Sequence, residues 1–400
     1  MFGGELIATG SSSCIFKPNI PCKSSDKISN ERISKIVYSE DAIFESKNEK
    51  KMNDKIQKIK GYSKWSLIFN EYCKPMKKDI LENYDSNGIN DCFSEEEERY
   101  LIDDFDLNSY MMNGNYGGIT LNEYFENVFY NKISNNKSFS NEFYDLMRRI
   151  EPLFLGLKVM YDNKIVHNDI KYNNIVMHNG VFKFIDFGLS EYSSNKNHFK
   201  DRSLSEFNTE RLYLFYPLDY LLFYANKTKI NQEINLVSKG YTRRNFFELD
   251  EVLKLFNTNG LNNYLFIQDL FQNKQFTEID MIKSIDTYSL GILIPLLFLF
   301  NTKSKENSSP SSDFIQKILS KNTMVQEFFE LFLMMLNISP KNRIKPEYAY
   351  KEFKRLLKKF KNKKHLDKKS LKRKSLKGKS LKRKSLKRKS LKRKSLKRKS

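Results

Sequence analysis

Short apolar stretches broken by Gly, Ser and Pro run from Leu6 to about Tyr38, the spacing of β-hairpins. Within them Ile33, Lys35 and Val37 alternate with Arg32, Ser34 and Ile36, which predicts a strand through Lys35. The period then changes: over residues 40–60, Met52, Ile56 and Ile59 fall on one side of a helix otherwise rich in Lys and Glu. After a turn region at Gly114, Gly117 and Gly118, residues Phe143, Leu146, Ile150, Phe154, Leu157 and Met160 recur at three- and four-residue steps, which predicts a long amphipathic helix. Residues 284–299 are almost continuously apolar, as in a helix buried on all sides, and residues 327–336 predict another helix, ended by Asn337 and Pro340. A β-rich beginning and a mainly helical remainder give an α+β class.

Three stretches depart from this rhythm. Residues 79–106 hold eleven Asp/Glu and one Arg, the composition of a solvated insertion. From Asp219 to Asp286 the chain advances 67 positions, with the aromatic pair Phe246 and Phe247 and a helical pattern from Leu249 to Phe256, which predicts an inserted subdomain over about 220–280. From Lys369 the chain repeats Lys-Ser-Leu-Lys-Arg with period five, Gly378 replacing one Arg. On a helix a five-residue step turns successive leucines by about 140°, so no apolar face forms, like charges repel, and residues 361–400 are expected to be a disordered tail.

The tail also explains the charge. The net charge of the 400 residues is +22, but residues 361–400 hold 22 Lys/Arg against the single acid Asp367, leaving 48 basic and 47 acidic residues elsewhere. The body therefore needs no basic groove, and non-specific nucleic-acid or import-receptor binding is expected of the tail alone. The tail serines, Ser370 through Ser400, each follow basic residues, so phosphorylation there would remove much of the positive charge. Cys14, Cys22, Cys73 and Cys92 are irregularly spaced and lack clustered His, which predicts reduced intracellular thiols rather than a disulfide framework or zinc site. No basic segment and apolar run of a signal peptide opens the chain, Phe2 excludes N-myristoylation, and the apolar run from Leu290 to Phe300 is short for a bilayer; a soluble intracellular chain without a transmembrane segment is expected.

Residues 165–176 read IVHNDIKYNNIV, a polar octet between β-branched apolar pairs, which places Asp169, Lys171 and Asn174 on one loop between two short buried strands. Twelve residues after Asn174, Asp186 follows Phe182 and Phe184 at the mouth of an expected hairpin. Phosphoryl transfer asks little covalent chemistry of a protein. It needs hard oxygen ligands for Mg²⁺, a carboxylate beside the attacking hydroxyl, and cations on the phosphates, and these residue types supply that set.

With these motifs the sequence resembles the eukaryotic-type serine/threonine protein kinases, over essentially residues 5–355, whose catalytic loop is H-R-D-L-K-x-x-N and whose metal loop is D-F-G. The resemblance implies a bilobal fold, with a smaller β-rich lobe over 1–118 and a helical lobe over 119–360. It implies that Asp169 is the catalytic base, that Lys171 contacts the transferring phosphate and points to Ser/Thr substrates on proteins, and that Asn174 and Asp186 hold Mg²⁺ on ATP. Ile7, Ala8, Gly10, Ser11, Ser12, Ser13 and Ile15 stand where the family has its glycine-rich loop, with only one of three glycines kept. Lys35 is similar to the phosphate-anchoring lysine, with Glu49 as its expected partner and Glu45, one turn earlier, as the alternative. YPLDY and SPKNRI imply a buried ion pair between Asp219 and Arg343, and SIDTYSLGI implies that Asp286 fixes the catalytic-loop backbone, with Tyr288 in place of the usual Trp. Asn168 replaces the arginine that receives an activation-loop phosphate in many members. The degenerate glycine loop with SCIFKP, the two insertions and the Asn/Lys/Ile/Tyr-rich composition make the chain most like the protein kinases of large DNA viruses, which would place it in host cytoplasm, nucleus or virion. The rival readings are a pseudokinase scaffold and a small-molecule kinase of the same fold.

Overall fold

The computed structural model describes residues 4–9, 13–22, 28–37, 40–75, 110–134, 139–208, 214–224, 228, 276–300 and 322–361. The acidic stretch 79–106, nearly all of the 220–280 insertion, and the repeat tail beyond residue 361 lie outside the described residues. The chain divides into two units, Met1–Phe353 and Lys354–Ser400. In the second, residues 354–361 are helical.

The first unit opens with β1 (Glu5–Thr9), β2 (Ser13–Lys17), β3 (Arg32–Val37), α1 (Glu40–Ile56), β4 (Glu71–Cys73) and β5 (Tyr110–Asn115). The strands form one antiparallel sheet in the order β1-β2-β3-β5-β4. Alternation sorts its side chains: Cys14, Phe16 and Ile36 turn inward with Ile20, Cys22 and Met111 to form a small core, while Lys35 takes the opposite face of β3. Ser34 falls on the inward side and is fully buried. It is satisfied there, accepting from the Ile20 N–H at 2.7 Å and lying 2.5 Å from Asn113 Oδ1, so the polar residue costs the core little.

The cysteine reading is corrected here. Cys22 and Cys73 form a disulfide across 51 residues of sequence, with Cα atoms 5.9 Å apart, and Cys14 is disulfide-bonded as well. None of the described cysteines is a free thiol. Irregular spacing could not reveal this, because the folded path of the chain rather than sequence distance brings the partners together.

The remainder is mainly helical: α2 (Leu121–Tyr124) runs through a π-helical stretch (Phe125–Phe129) into α3 (Tyr130–Ser134), and α4 (Phe139–Asp162) follows. Two short hairpin-like sheets come next, β6 (Ile165–Val166) with β9 (Glu191–Tyr192), and β7 (Ile175–His178) with β8 (Val181–Phe184). Then come α5 (Lys196–Asn208), α6 (Leu218–Phe223), α7 (Glu278–Phe300) and α8 (Thr323–Met335). α4, α7 and α8 meet through aromatic rings, among them Phe143, Phe154, Phe298, Phe328 and Phe332, with Phe154 stacked on Phe353 at 3.9 Å between centroids. By length and composition α7 could cross a membrane, but 89% of its apolar window is buried within the fold, which accounts for its apolarity.

Gly114 departs from the expected turn: it lies within β5, where a Cβ would stand 2.9 Å from the Phe69 ring, so the glycine admits that ring against the strand. The turn itself is made at Gly118, with φ +81°.

Arg343 and Asp219 form an ion pair at 2.6 Å with side chains 0% and 1% exposed. The guanidinium also donates to Ser284 Oγ and the Asn337 carbonyl at 2.8 and 2.9 Å, which ties α6, α7 and the chain beyond α8 together. Arg343→Met is therefore expected to destabilise by about 3–5 kcal/mol, because Asp219 becomes a buried charge without a partner. The double variant Asp219→Leu/Arg343→Met should recover most of that loss in urea denaturation.

Candidate active site

A cleft of about 200 Å³ lies between the sheet and the β7–β8 hairpin. Ile7, Ala8, Ile15 and Ile33 line one wall, Val176 and Ile185 the other, and residues 114–118 with Leu67–Phe69 close its back. Lys35 and Asp186 are the two charged residues among those lining it. Gly10, Ser11 and Ser12 lie outside the described residues, and Ser13 stands in β2. The floor and back of the cleft were not foreseen from the sequence. The Gly117–Gly118 pair was the signal for the back, but it marked only a turn.

Lys35 points from β3 to two carboxylates, Asp186 Oδ1 at 3.5 Å and Glu49 Oε2 at 3.6 Å. Glu49 is 1% exposed on the inward side of α1, whereas Glu45 is exposed, so the geometry selects Glu49 as partner. Burial alone would pull the Lys35 ammonium down, but Asp186 and Glu49 outweigh it and hold the lysine above its ordinary value. Burial pushes Glu49 up to about 7, Lys35 opposing and Asp186 adding to the rise. For Asp186 burial also pushes upward, but Lys35, Lys171 and His167 prevail and keep the carboxyl below its ordinary value. Asp186 thus stays ionised at the mouth of the cleft, on a left-handed backbone at φ +62°.

The polar octet forms the loop between β6 and β7. Asp286, buried on α7, accepts the backbone N–H groups of His167 at 2.6 Å and Asn168 at 3.0 Å. Downstream, Asn174 Nδ2 donates to Asp169 Oδ2 at 2.7 Å, and Lys171 Nζ lies 2.9 Å from the same oxygen. The Ile185 N–H donates to the Asn174 carbonyl at 3.0 Å, which joins the loop to the residue before Asp186. Asp169, Lys171, Asn174 and Asp186 are thereby brought to one place.

Residues 88–214 match the family model of the protein kinase domain. Asp169, Lys171, Asn174 and Asp186 fall inside the matched stretch, and Lys35, Glu49, Asp219, Asp286 and Arg343 fall outside it. The match, with the mixture of sheet and helices, supports a protein-kinase-like α+β fold and a phosphotransfer function. Comparison with curated proteins finds no match.

One anchoring residue escaped the sequence reading. Asn48 donates through Nδ2 to the carbonyls of Gly188 at 2.8 Å and Ser190 at 2.9 Å, fastening the stretch after Asp186 to α1. It lies one turn before Met52, and a polar residue on the inward stripe was the available signal. Phe187 is fully buried against Trp65 and the His167 ring, with centroids 6.4 and 4.7 Å away.

Glu49 sets a pH dependence. Its folded-state value, about 7, lies above the ordinary 4.5, so between these two pH values the folded chain holds a proton that the unfolded chain has lost. This contribution to stability is full below pH 4.5 and declines as pH rises toward 7. Lys35, raised from 10.5, and Asp186, lowered from 3.8, change protonation outside that window. Denaturation curves of wild type and Glu49→Gln are expected to diverge across pH 4.5–7, wild type losing stability relative to the variant; a constant offset would contradict this.

Proposed function

We propose that the chain is an ATP-dependent serine/threonine protein kinase. The observation that carries the reading is the convergence of Asp169, Lys171 and Asn174 beside Asp186, which with Lys35, the partner of Glu49, lines the cleft. The apolar walls suit a nucleotide base, and Lys35 suits the phosphates. The ribose and base would lie against Ile7, Ala8, Ile15 and Val176.

The donor set fits Mg²⁺. Among the described residues there is no cluster of three acidic, His or Cys groups, and Mg²⁺ on nucleotides asks for only one or two carboxylates beside phosphate and water. Asp186 supplies an ionised carboxylate, and Asn174, whose Nδ2 faces Asp169, has its amide oxygen left for a cation. When bound, the ion would neutralise charge on the phosphate oxygens.

Asp169 orients the substrate hydroxyl and takes its proton as the hydroxyl oxygen bonds to the γ-phosphorus and the bond to the β-phosphate oxygen breaks, releasing ADP. Lys171, held 2.9 Å from Asp169, offers its ammonium to the moving phosphoryl group. A lysine two residues after the base supports Ser/Thr as the acceptor class. The Asn/Lys/Ile/Tyr-rich composition, the two insertions and the poor glycine loop support a place among the kinases of large DNA viruses.

Mg²⁺-dependent transfer of labelled γ-phosphate to a generic basic protein, followed by phosphoamino-acid analysis, tests this. Label on Ser/Thr is expected, and Asp169→Asn and Asp186→Asn should each lower the rate by at least about 10². Equal transfer by wild type and both variants would refute the assignment.

A further inference from the structure

Glu206, Arg202 and Tyr216 form a chain of polar contacts that takes no part in the proposed phosphotransfer. It ends on Asn168. That residue is fully buried, has φ +61°, and its side-chain Oδ1 and Nδ2 have no hydrogen-bond partner among the described residues. Its backbone, by contrast, is held on both sides: the N–H donates to Asp286 Oδ1 at 3.0 Å, and the carbonyl accepts from the Tyr216 hydroxyl at 2.6 Å. That carbonyl belongs to the peptide that leads directly into Asp169.

Tyr216 is 3% exposed, and its phenol oxygen in turn accepts Arg202 Nε at 3.3 Å. A hydroxyl has one proton to give. With an N–H donor on its lone pair, the Tyr216 proton is directed to the Asn168 carbonyl. Burial, opposed by Arg202, keeps the phenol above its ordinary value, so it remains a donor at neutral pH. Arg202 is itself aimed by Glu206, one turn along α5, at 2.8 Å, and lies within electrostatic reach of Asp169 and Glu45.

We infer that Tyr216 and Arg202 are positioning residues for Asp169, a clamp that locks the catalytic-loop peptide through the Asn168 carbonyl while Asp286 holds the Asn168 N–H. The clamp is built from neutral and charged groups already in the chain, so the loop is set without an added phosphate. The kinetic part of this inference rests on the proposed phosphotransfer; its structural part does not.

The test uses the full chain as wild type, Tyr216→Phe, Arg202→Met and Arg202→Lys, after phosphatase treatment. Amide hydrogen exchange in the loop 167–172 is expected to quicken about tenfold in Tyr216→Phe and Arg202→Met. kcat should fall about tenfold, with KM for ATP unchanged to within about twofold, and Arg202→Lys should regain part of both losses. If Tyr216→Phe gives no cooperative thermal unfolding, the Arg202 pair, whose side chain is partly exposed, decides the matter. Wild-type exchange and kcat in the Arg202→Met chain would overturn the clamp, and so would a loss of ATP affinity equal to the loss of kcat. A wild type that transfers no phosphate, while the exchange differences appear, would refute the proposed function and support the clamp.

Discussion

A buried carboxylate that accepts two backbone N–H groups holds this structure's chemistry in register. Asp286 is 5% exposed, and burial pushes its carboxyl upward, which would make it a liability were it not for the two backbone N–H groups of His167 and Asn168. Those bonds fix a turn whose residue 168 adopts a left-handed backbone and leads directly into Asp169. Because Asp286 stands on α7, an apolar helix packed into the aromatic core, the loop is anchored to that core. The Ser190 hydroxyl, donating to the His167 carbonyl at 3.0 Å, and the β6–β9 pairing hold the same turn as well.

The second half of the site hangs from α1 and β3. Lys35 is shared between Glu49 and Asp186 at nearly equal distances, and Asn48, the neighbour of Glu49, grips the backbone after Asp186. A shift of α1 would therefore disturb the lysine, the carboxylate and the backbone together. The connection from α1 to β4 makes the same coupling more direct: the Phe184 N–H donates to the Trp65 carbonyl and the Leu67 N–H to the Phe184 carbonyl, both at 2.9 Å. Gly156 on α4 makes room for this contact, since a Cβ there would lie 2.9–3.0 Å from Trp65 and Phe184.

Much of this was legible in the chain before any fold was known. The change of period at residue 40, the stripe from Phe143 to Met160, and the continuous apolarity around Leu290 appear as α1, α4 and α7. The spacing of Asp169, Lys171, Asn174 and Asp186 placed them on a loop and beyond a hairpin, where they lie. These features are local: a helix or strand period and a polar interruption are written within a dozen residues.

What the sequence left open is what depends on partners far along the chain. Glu45 and Glu49 sit one helical turn apart, and only the rotation of α1 against β3 turns Glu49 to Lys35. Cys22 and Cys73 became a disulfide rather than thiols because the fold brings the segment after β2 to β4, with their Cα atoms 5.9 Å apart. The links from Tyr216 to Asn168 and from Asn48 to Gly188 span 48 and 140 residues, beyond the reach of any periodicity. The sequence determined which residue types stand at which local spacing, and hence the elements and the chemistry on offer. Only tertiary packing decided which of these groups meet, because hydrogen bonds, ion pairs and disulfides form over a few ångströms of space regardless of distance along the chain.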